Sequence, residues 1–474
     1  MTRFQGPIRV GLLTPYFAFF EARFPADFRH TQMAYADGLA DALRSAGLDV
    51  IASGLVDGAE AAAVTRDRFA AAGVDVVVAC ATMAAPPTYG SAALEGHDGP
   101  IIVWDDHRAS RYPSDVDEVE ATRRSGILGS IMLANVLGRE GRRYLTVSTV
   151  DGDAAEVVRA VRGAAAARSL RGARLGLLGG IIPGYGDVIL DPATADALGI
   201  ELVQVGPEAV ARAIAVSETG EGTDDTGGSL PWPVEVTHEA EPLLARSRRI
   251  ERFLAAVVAD ARLDALALNC HSDALRFGEE LGAVGCLGAS VLWANGVPVA
   301  CTGDAATTVA LMLAARIAGS AQYGEGYAVE HETGEMVISS CGMADPSLCA
   351  AGETPRLCAN ELYPGRHGLG IATRFAFAAG PATIAAFGPA TPTLPARLVV
   401  SAGRVTGRGF AHMNGPSGTI TFDAPGPGTA TRALIDAGPA HHLALVRGDR
   451  SAELRAAAHF LGVQLVELRC GAAG

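Results

Sequence analysis

Three short stretches carry the side chains best suited to chemistry. The first runs Val299-Ala300-Cys301-Thr302-Gly303-Asp304 and continues into Ala305-Ala306-Thr307-Thr308. It reads as a short buried strand, a tight turn at Gly303 and an amphipathic helix with Asp304 as N-cap, because a carboxylate accepts from the free N–H groups of the first turn. Such a junction gathers polar groups at one mouth of a sheet, where open α/β folds bind ligands. Capping alone suffices to select aspartate there; positioning a reacting group is the other role. The remaining stretches, Asp75-Val76-Val77-Val78-Ala79-Cys80 and Asp264-Ala265-Leu266-Ala267-Leu268-Asn269-Cys270-His271, are strands that each deliver a cysteine at the carboxyl end. Two thiols can move a proton without a cofactor, one as thiolate base and one as acid, and His271 would lower the pKa of Cys270. Cysteine is also among the most buried residue types, so inert core thiols are the simpler reading.

The elements around these stretches suggest how they are positioned. Residues 8–13, 48–52, 75–80 and 101–104 read as strands, and 31–46 and 59–71 as helices. This βαβα order predicts a doubly wound parallel sheet. Its loops hold Thr14, Tyr16, Thr82 and Tyr89, and Asp105-Asp106-His107 reads as a capped, solvated loop. A helix over 121–137, a strand over 144–150 and a strand from 173 continue the pattern. The strand from 173 ends in Gly179-Gly180-Ile181-Ile182-Pro183-Gly184, which lacks the G-x-G-x-x-G spacing of a phosphate cradle. Residues 217–230 are polar, acidic and glycine-rich, as a surface loop would be, and a helix over 239–261 leads to the 265–268 strand. From 356 the texture changes to short alternating segments (373–377, 383–387, 396–400, 419–422), the spacing of a small antiparallel barrel or sandwich. A further strand and a closing helix over 451–461 follow. The expected architecture is therefore α/β: Rossmann-like doubly wound domains at 1–172 and 173–355 and a β barrel or sandwich at 356–474.

Composition narrows the partners. With 474 residues, 49% hydrophobic and 19% charged, the chain has the makeup of a soluble multidomain protein. A net charge of −14 without a basic run argues against nucleic acid and anionic membranes. The best apolar stretch, 309–318, is broken by Arg316, and the chain opens on a strand instead of a signal peptide, which predicts a cytoplasmic protein. The eight cysteines include no C-x-x-C and predict reduced, mostly buried thiols with neither disulfides nor a zinc cage.

Four motifs carry a resemblance: Cys301-Thr302-Gly303-Asp304, Gly179-Gly180-x-x-Pro183-Gly184, Val337-Ile338-Ser339-Ser340-Cys341-Gly342, and Gly438-x-x-His441-His442 followed by Gly448-Asp449. On these the chain resembles the L-fucose/L-arabinose isomerase superfamily over nearly its whole length. The resemblance implies an isomerase of the aldose–ketose type, in which a divalent metal, usually manganese, polarises the substrate oxygens while an acid/base pair moves a proton through an enediol. His441 or His442 matches the family's late metal-binding histidine. Strand alternation lets only one of them enter a site, and His442 is favoured. Glu325 takes the second acidic position, with Glu330 as the fallback. Thr302 stands where the family has a ligating glutamate, and Ser339-Ser340 where many relatives have Trp-His. The candidate catalytic residues are thus Glu325, His442 and Asp304, with Cys270 from the thiol reading, and the candidate substrate contacts are Thr302, Ser340, Cys341, His441, Tyr16, Thr82 and Tyr89. Metal would fall to Glu325 and His442, held weakly or not at all because two ligands are missing. The resemblance also implies a homo-oligomer, trimeric or hexameric, in which the loops of Tyr16, Thr82 and Tyr89 complete a neighbour's pocket. Two alternatives stay open: a cofactor-independent cysteine-pair racemase resembling the aspartate/glutamate racemase type, with Cys80 and Cys270 as the pair, and a non-catalytic sugar-binding homologue.

Overall fold

The computed structural model describes residues 4–219, 230–272, 281, 283–360, 370–423 and 427–468. Most of the expected 217–230 loop, Asp273 and Cys470 lie outside the described residues; Ser217 to Thr219 end the helix Pro207–Thr219. The chain divides into two compact units, one of Gly6–Arg168 with Arg455–Leu461 and one centred on Ser169–Leu454.

The first unit is built on a parallel sheet of β1 (Arg9–Pro15), β2 (Asp49–Val56), β3 (Val76–Ala79), β4 (Ile101–His107) and β5 (Tyr144–Val150), in the order β2-β1-β3-β4-β5. Strand β3 is buried throughout because helices cover both faces. Its side chains alternate as the pleat requires: Val76 and Val78 join Leu39, Leu43 and Trp104 in one core, Val77 and Ala79 join Phe69 and Leu133 in another. Two sequence expectations need correction here. The single helix over 121–137 is two, Glu118–Arg123 and Gly126–Arg139. Asp117 caps the first by accepting from Glu120 N at 2.8 Å, and the break at Ser125 lets Gly126 approach the Ala81 carbonyl, where a Cβ would sit at 2.7 Å. Asp106 is not in a solvated loop but is a buried residue of β4, accepting from Tyr35 OH (2.7 Å), Thr149 Oγ1 (2.8 Å) and Gly152 N (2.9 Å).

The second unit holds a parallel sheet ordered β10-β9-β6-β7, from β6 (Ala173–Leu178), β7 (Ile200–Gln204), β9 (Ala265–Leu268) and β10 (Val299–Ala300). A small sheet joins β8 (Glu235–Val236), β13 (Arg356–Asn360) and β14 (Gly370–Arg374). The helix expected at 239–261 runs Leu244–Asp260, because the Pro242 turn before it is 3-10.

The remaining strands are β11 (Gln322–Glu330), β12 (Glu335–Ser339), β15 (Gly380–Gly388), β16 (Arg397–Val405), β17 (Ser417–Phe422), β18 (His442–Arg447) and β19 (Gln464–Glu467). They form a sheet ordered β15-β18-β11-β12-β17-β16-β19, and β15 also pairs with β16. The ring therefore closes as a six-stranded antiparallel barrel, with β19 parallel to β16 outside it. Ile338, Ile384, Val399, Ile420, Leu443 and Leu445 belong to the cluster that fills it. The architecture is thus mixed α/β with two parallel sheets and a closed barrel, and two barrel strands, β11 and β12, come from ahead of position 356. Among the described residues, no helix is long and apolar enough to cross a membrane.

Candidate functional site

The mouth of β10 is built by an unusual backbone. Thr302 (φ 59°) and Gly303 (φ 76°) are consecutive left-handed residues, and for a β-branched threonine that conformation is strained. Thr302 Oγ1 donates to the Cys301 carbonyl at 2.7 Å and sits 3.4 Å from Tyr323 OH. The turn brings Gly303 onto the Gly180 carbonyl so closely that a Cβ would overlap it, and Ile182 N donates to the Thr302 carbonyl at 3.4 Å. The glycine loop after β6 thus serves as a backbone abutment for this turn. Gly303→Ala is expected to lower unfolding stability by about 1–3 kcal/mol, as overpacking does, read from urea melts.

Immediately after the turn, Asp304 begins the helix Ala305–Ala318 with both carboxylate oxygens engaged. Oδ1 accepts from Thr307 N at 2.7 Å, capping the helix, and Oδ2 accepts from His442 Nδ1 at 2.7 Å. The capping and positioning roles therefore coexist in one fully buried side chain. His442 opens β18 directly opposite Glu325 of β11, and cross-strand partners of this kind have touching side chains. Its Nε2 lies 3.5 Å from Glu325 Oε1. Tyr323, two residues from Glu325 on the same strand, packs its ring 4.7 Å from the imidazole. Burial alone would lower the His442 pKa, but hydrogen bonding and charge from Asp304 and Glu325 outweigh it and hold the imidazole up at about 9. The group is an imidazolium at neutral pH. Glu325 keeps 30% of its side chain exposed.

His441 takes a different path. Its Nδ1 donates to Asp187 Oδ2 at 2.6 Å, its backbone N donates to the same oxygen at 3.1 Å, and Tyr185 packs edge-on at 5.2 Å. The two imidazoles still lie 3.7 Å apart, centroid to centroid, because His441 precedes β18 and escapes strand alternation. Ser340 does not reach the acid–imidazole pair by a hydrogen bond: its Oγ donates to the Met343 carbonyl at 2.6 Å and accepts from Gly342 N at 3.4 Å. The fallback Glu330 pairs with Arg408 at 2.6 Å at the far end of β11.

Beside this centre lies a thiol cluster. Strands β9 and β10 are parallel neighbours, so Cys270 and Cys301 emerge from the same edge of the sheet. Cys270 Sγ is 3.5 Å from His271 Nε2, and the ligating atoms of Cys270, His271 and Cys301 all fall within 4.8 Å of one another. Cys341, following β12, adjoins Cys301, and Cys286 at the start of the helix Cys286–Ala294 adjoins Cys341. Asn360 Nδ2 donates to Cys286 Sγ (3.3 Å) and to the Cys341 carbonyl (3.0 Å), which also accepts from Asn414 Nδ2 (2.8 Å). The Cys301 thiol and His271 lower the Cys270 pKa against its burial. The seven described cysteines are free, and their gathering was not legible: Cys286 and Cys301 come from separate elements, and no sequence spacing links them. Tyr323 was missed too, although alternation from Glu325 would have found it once β11 was read as a strand.

The residues expected from the first unit have contacts inside that unit. Tyr16 is fully buried in a cluster with Phe28 and Met83. Thr82 Oγ1 donates to the Pro15 carbonyl at 3.0 Å, and Tyr89 packs against the core of Leu94 and Leu133. Cys80 lies under Tyr35 OH at 3.9 Å, and burial pushes its thiol up to about 12. A cavity of about 560 Å³ in this unit is lined by Tyr35, Asp106, Arg108, Arg123 and Arg124, among others.

Manganese, which the resemblance implies, is a poor match for the donors here. A hard divalent ion wants an oxygen-rich shell of about six ligands. Among the described residues, the position to which the resemblance points offers Glu325 and His442 Nε2, the latter buried and belonging to a ring held protonated. The hydroxyls of Thr302 and Ser340 are spent on backbone carbonyls. The residues do not fit that ion. No protein-family model matches this chain, and no curated protein matches it.

Proposed function

We propose that the second unit is a proton-transfer enzyme of the aldose–ketose isomerase kind, acting on a small carbohydrate or polyol-like carbonyl compound without manganese. The single observation that supports it most is the line Asp304–His442–Glu325: one partly buried carboxylate, one buried imidazolium and one buried carboxylate behind it. Glu325 would take the proton from the carbon next to the carbonyl. The His442 imidazolium, whose Nε2 lies 3.5 Å from Glu325 Oε1, would donate to the carbonyl oxygen as it gains charge, giving a neutral enediol. Return of the Glu325 proton to the other carbon, with loss of the second hydroxyl's proton to His442, completes the exchange and restores both groups. In this reading the imidazolium supplies the positive charge that a metal supplies in the family the sequence resembles, and Asp304 fixes its tautomer and orientation.

The cysteine-pair alternative is weaker on its own chemistry. A thiol pushed up to about 12, as Cys80 is, supplies almost no thiolate at neutral pH. On the resemblance, the protein would also act as a cytoplasmic homo-oligomer.

The test is exchange of substrate C–H for deuterium in D2O, followed by NMR across a panel of aldoses and ketoses. Glu325→Gln should slow exchange by about 10²–10⁴-fold, the usual contribution of a general base, with circular dichroism showing the fold retained. Sugar binding with no exchange by the wild-type chain would favour a non-catalytic sugar-binding role. Exchange that survives Glu325→Gln would remove Glu325 as the base.

A further inference from the structure

We infer that Cys270, His271 and Cys301 form a site for a thiophilic divalent cation of the zinc class, independent of the isomerase reading. Zinc bonds thiolate at about 2.3 Å and imidazole at about 2.0–2.1 Å, so a tetrahedral site needs a sulfur-to-nitrogen edge of about 3.5–3.6 Å. The Cys270 Sγ to His271 Nε2 distance is 3.5 Å. The third donor, Cys301 Sγ, stands within 4.8 Å of both. Three protein donors leave the fourth tetrahedral position to a water or another exogenous ligand.

Charge and surroundings agree with this. Two thiolates and a neutral imidazole around a 2+ ion sum to zero, the state of lowest cost for a cluster whose two sulfurs are nearly inaccessible. Sulfur donors select zinc-like ions over manganese or magnesium, so the cation preference would differ from that implied by the resemblance. The bond network would also tie the residues after β9 to the turn after β10, the turn that leads into Asp304. Sequence spacing gave no hint of it, since the donors are 31 positions apart, from 270 to 301.

The experiment uses the full chain, purified under reducing conditions, stripped with chelator and titrated with Co2+ and then Zn2+. The expected result is one cation per chain, with a thiolate-to-cobalt charge-transfer band that zinc abolishes. His271→Ala, a change at a partly exposed position, should weaken zinc binding at least about 100-fold, the upper range for loss of a mere supporting contact. Cys270→Ser and Cys301→Ser should remove the charge-transfer band, and Glu325→Gln should keep it. Circular dichroism of each stripped variant separates lost binding from lost fold. Absence of the band in the wild-type chain, its persistence in the Cys270→Ser/Cys301→Ser double variant, or a Cys270–Cys301 disulfide in the reduced preparation would overturn the inference. None of these readouts depends on turnover, so failure of the isomerase reading leaves the result interpretable.

Discussion

Asp304→Ala is expected to destabilise the protein by about 3–5 kcal/mol, the range for breaking a buried ion pair by removing one partner. The loss has two sources that substitution can separate. Oδ1 caps the Ala305–Ala318 helix through Thr307 N, and losing such a cap costs about 1 kcal/mol. Oδ2 holds His442, which is 1% exposed and would be left as a buried cation with only Glu325 at 3.5 Å. Asp304→Asn keeps a good capping side chain but removes the charge, so it should recover only the smaller part. Urea unfolding of the three proteins at one pH measures the split. If the asparagine variant were as stable as wild type, His442 would not be held as an imidazolium by this carboxylate, and its role as proton donor would fall with it.

Stability should also decline as the solution turns alkaline, and the sign follows from the same contact. The folded His442 pKa of about 9 exceeds the ordinary 6.5, so the folded state binds this proton more tightly than the unfolded chain. The contribution is complete below pH 6.5, is lost progressively above it, and is gone once pH has passed through about 9. The difference corresponds to on the order of 3 kcal/mol. Denaturant melts of wild type and Asp304→Asn at about pH 6 and about pH 10 bracket the window. The wild-type curve should fall and the variant's should be nearly flat. Equal slopes would show that His442 is neutral in the folded protein.

The parallel sheets were legible because runs such as Val76–Ala79 are buried on both faces and so lack polar interruption. Strand β11 was not. Gly324 and Gly326 make it look like a loop, yet each is small for a packing reason. A Cβ on Gly324 would press on Ile338 Cγ2 at 3.1 Å, and one on Gly326 would meet Met336 Sδ at 2.9 Å, both across the β11–β12 ladder. Glu325 and His442 were found through resemblance, and Asp304 through its capping position, but nothing in their spacing foretold that 138 residues of separation close to 2.7 Å. The His441–His442 choice rested on alternation, which holds only inside a strand, and His441 lies one residue outside it. Proximity among Cys270, Cys301, Cys341 and Cys286 depends on how four separate elements converge, which one-dimensional pattern does not encode.

Glu325 and His442 are rungs of one antiparallel ladder, whereas Asp304 stands at the exit of the parallel sheet. Alignment of the three side chains therefore requires both sheets: a chain that has closed its barrel but not seated β10, or the reverse, carries Glu325, His442 and Asp304 without their orientation. On the proposed function, activity would then appear in a refolding time course only after the slower of the two sheets has formed.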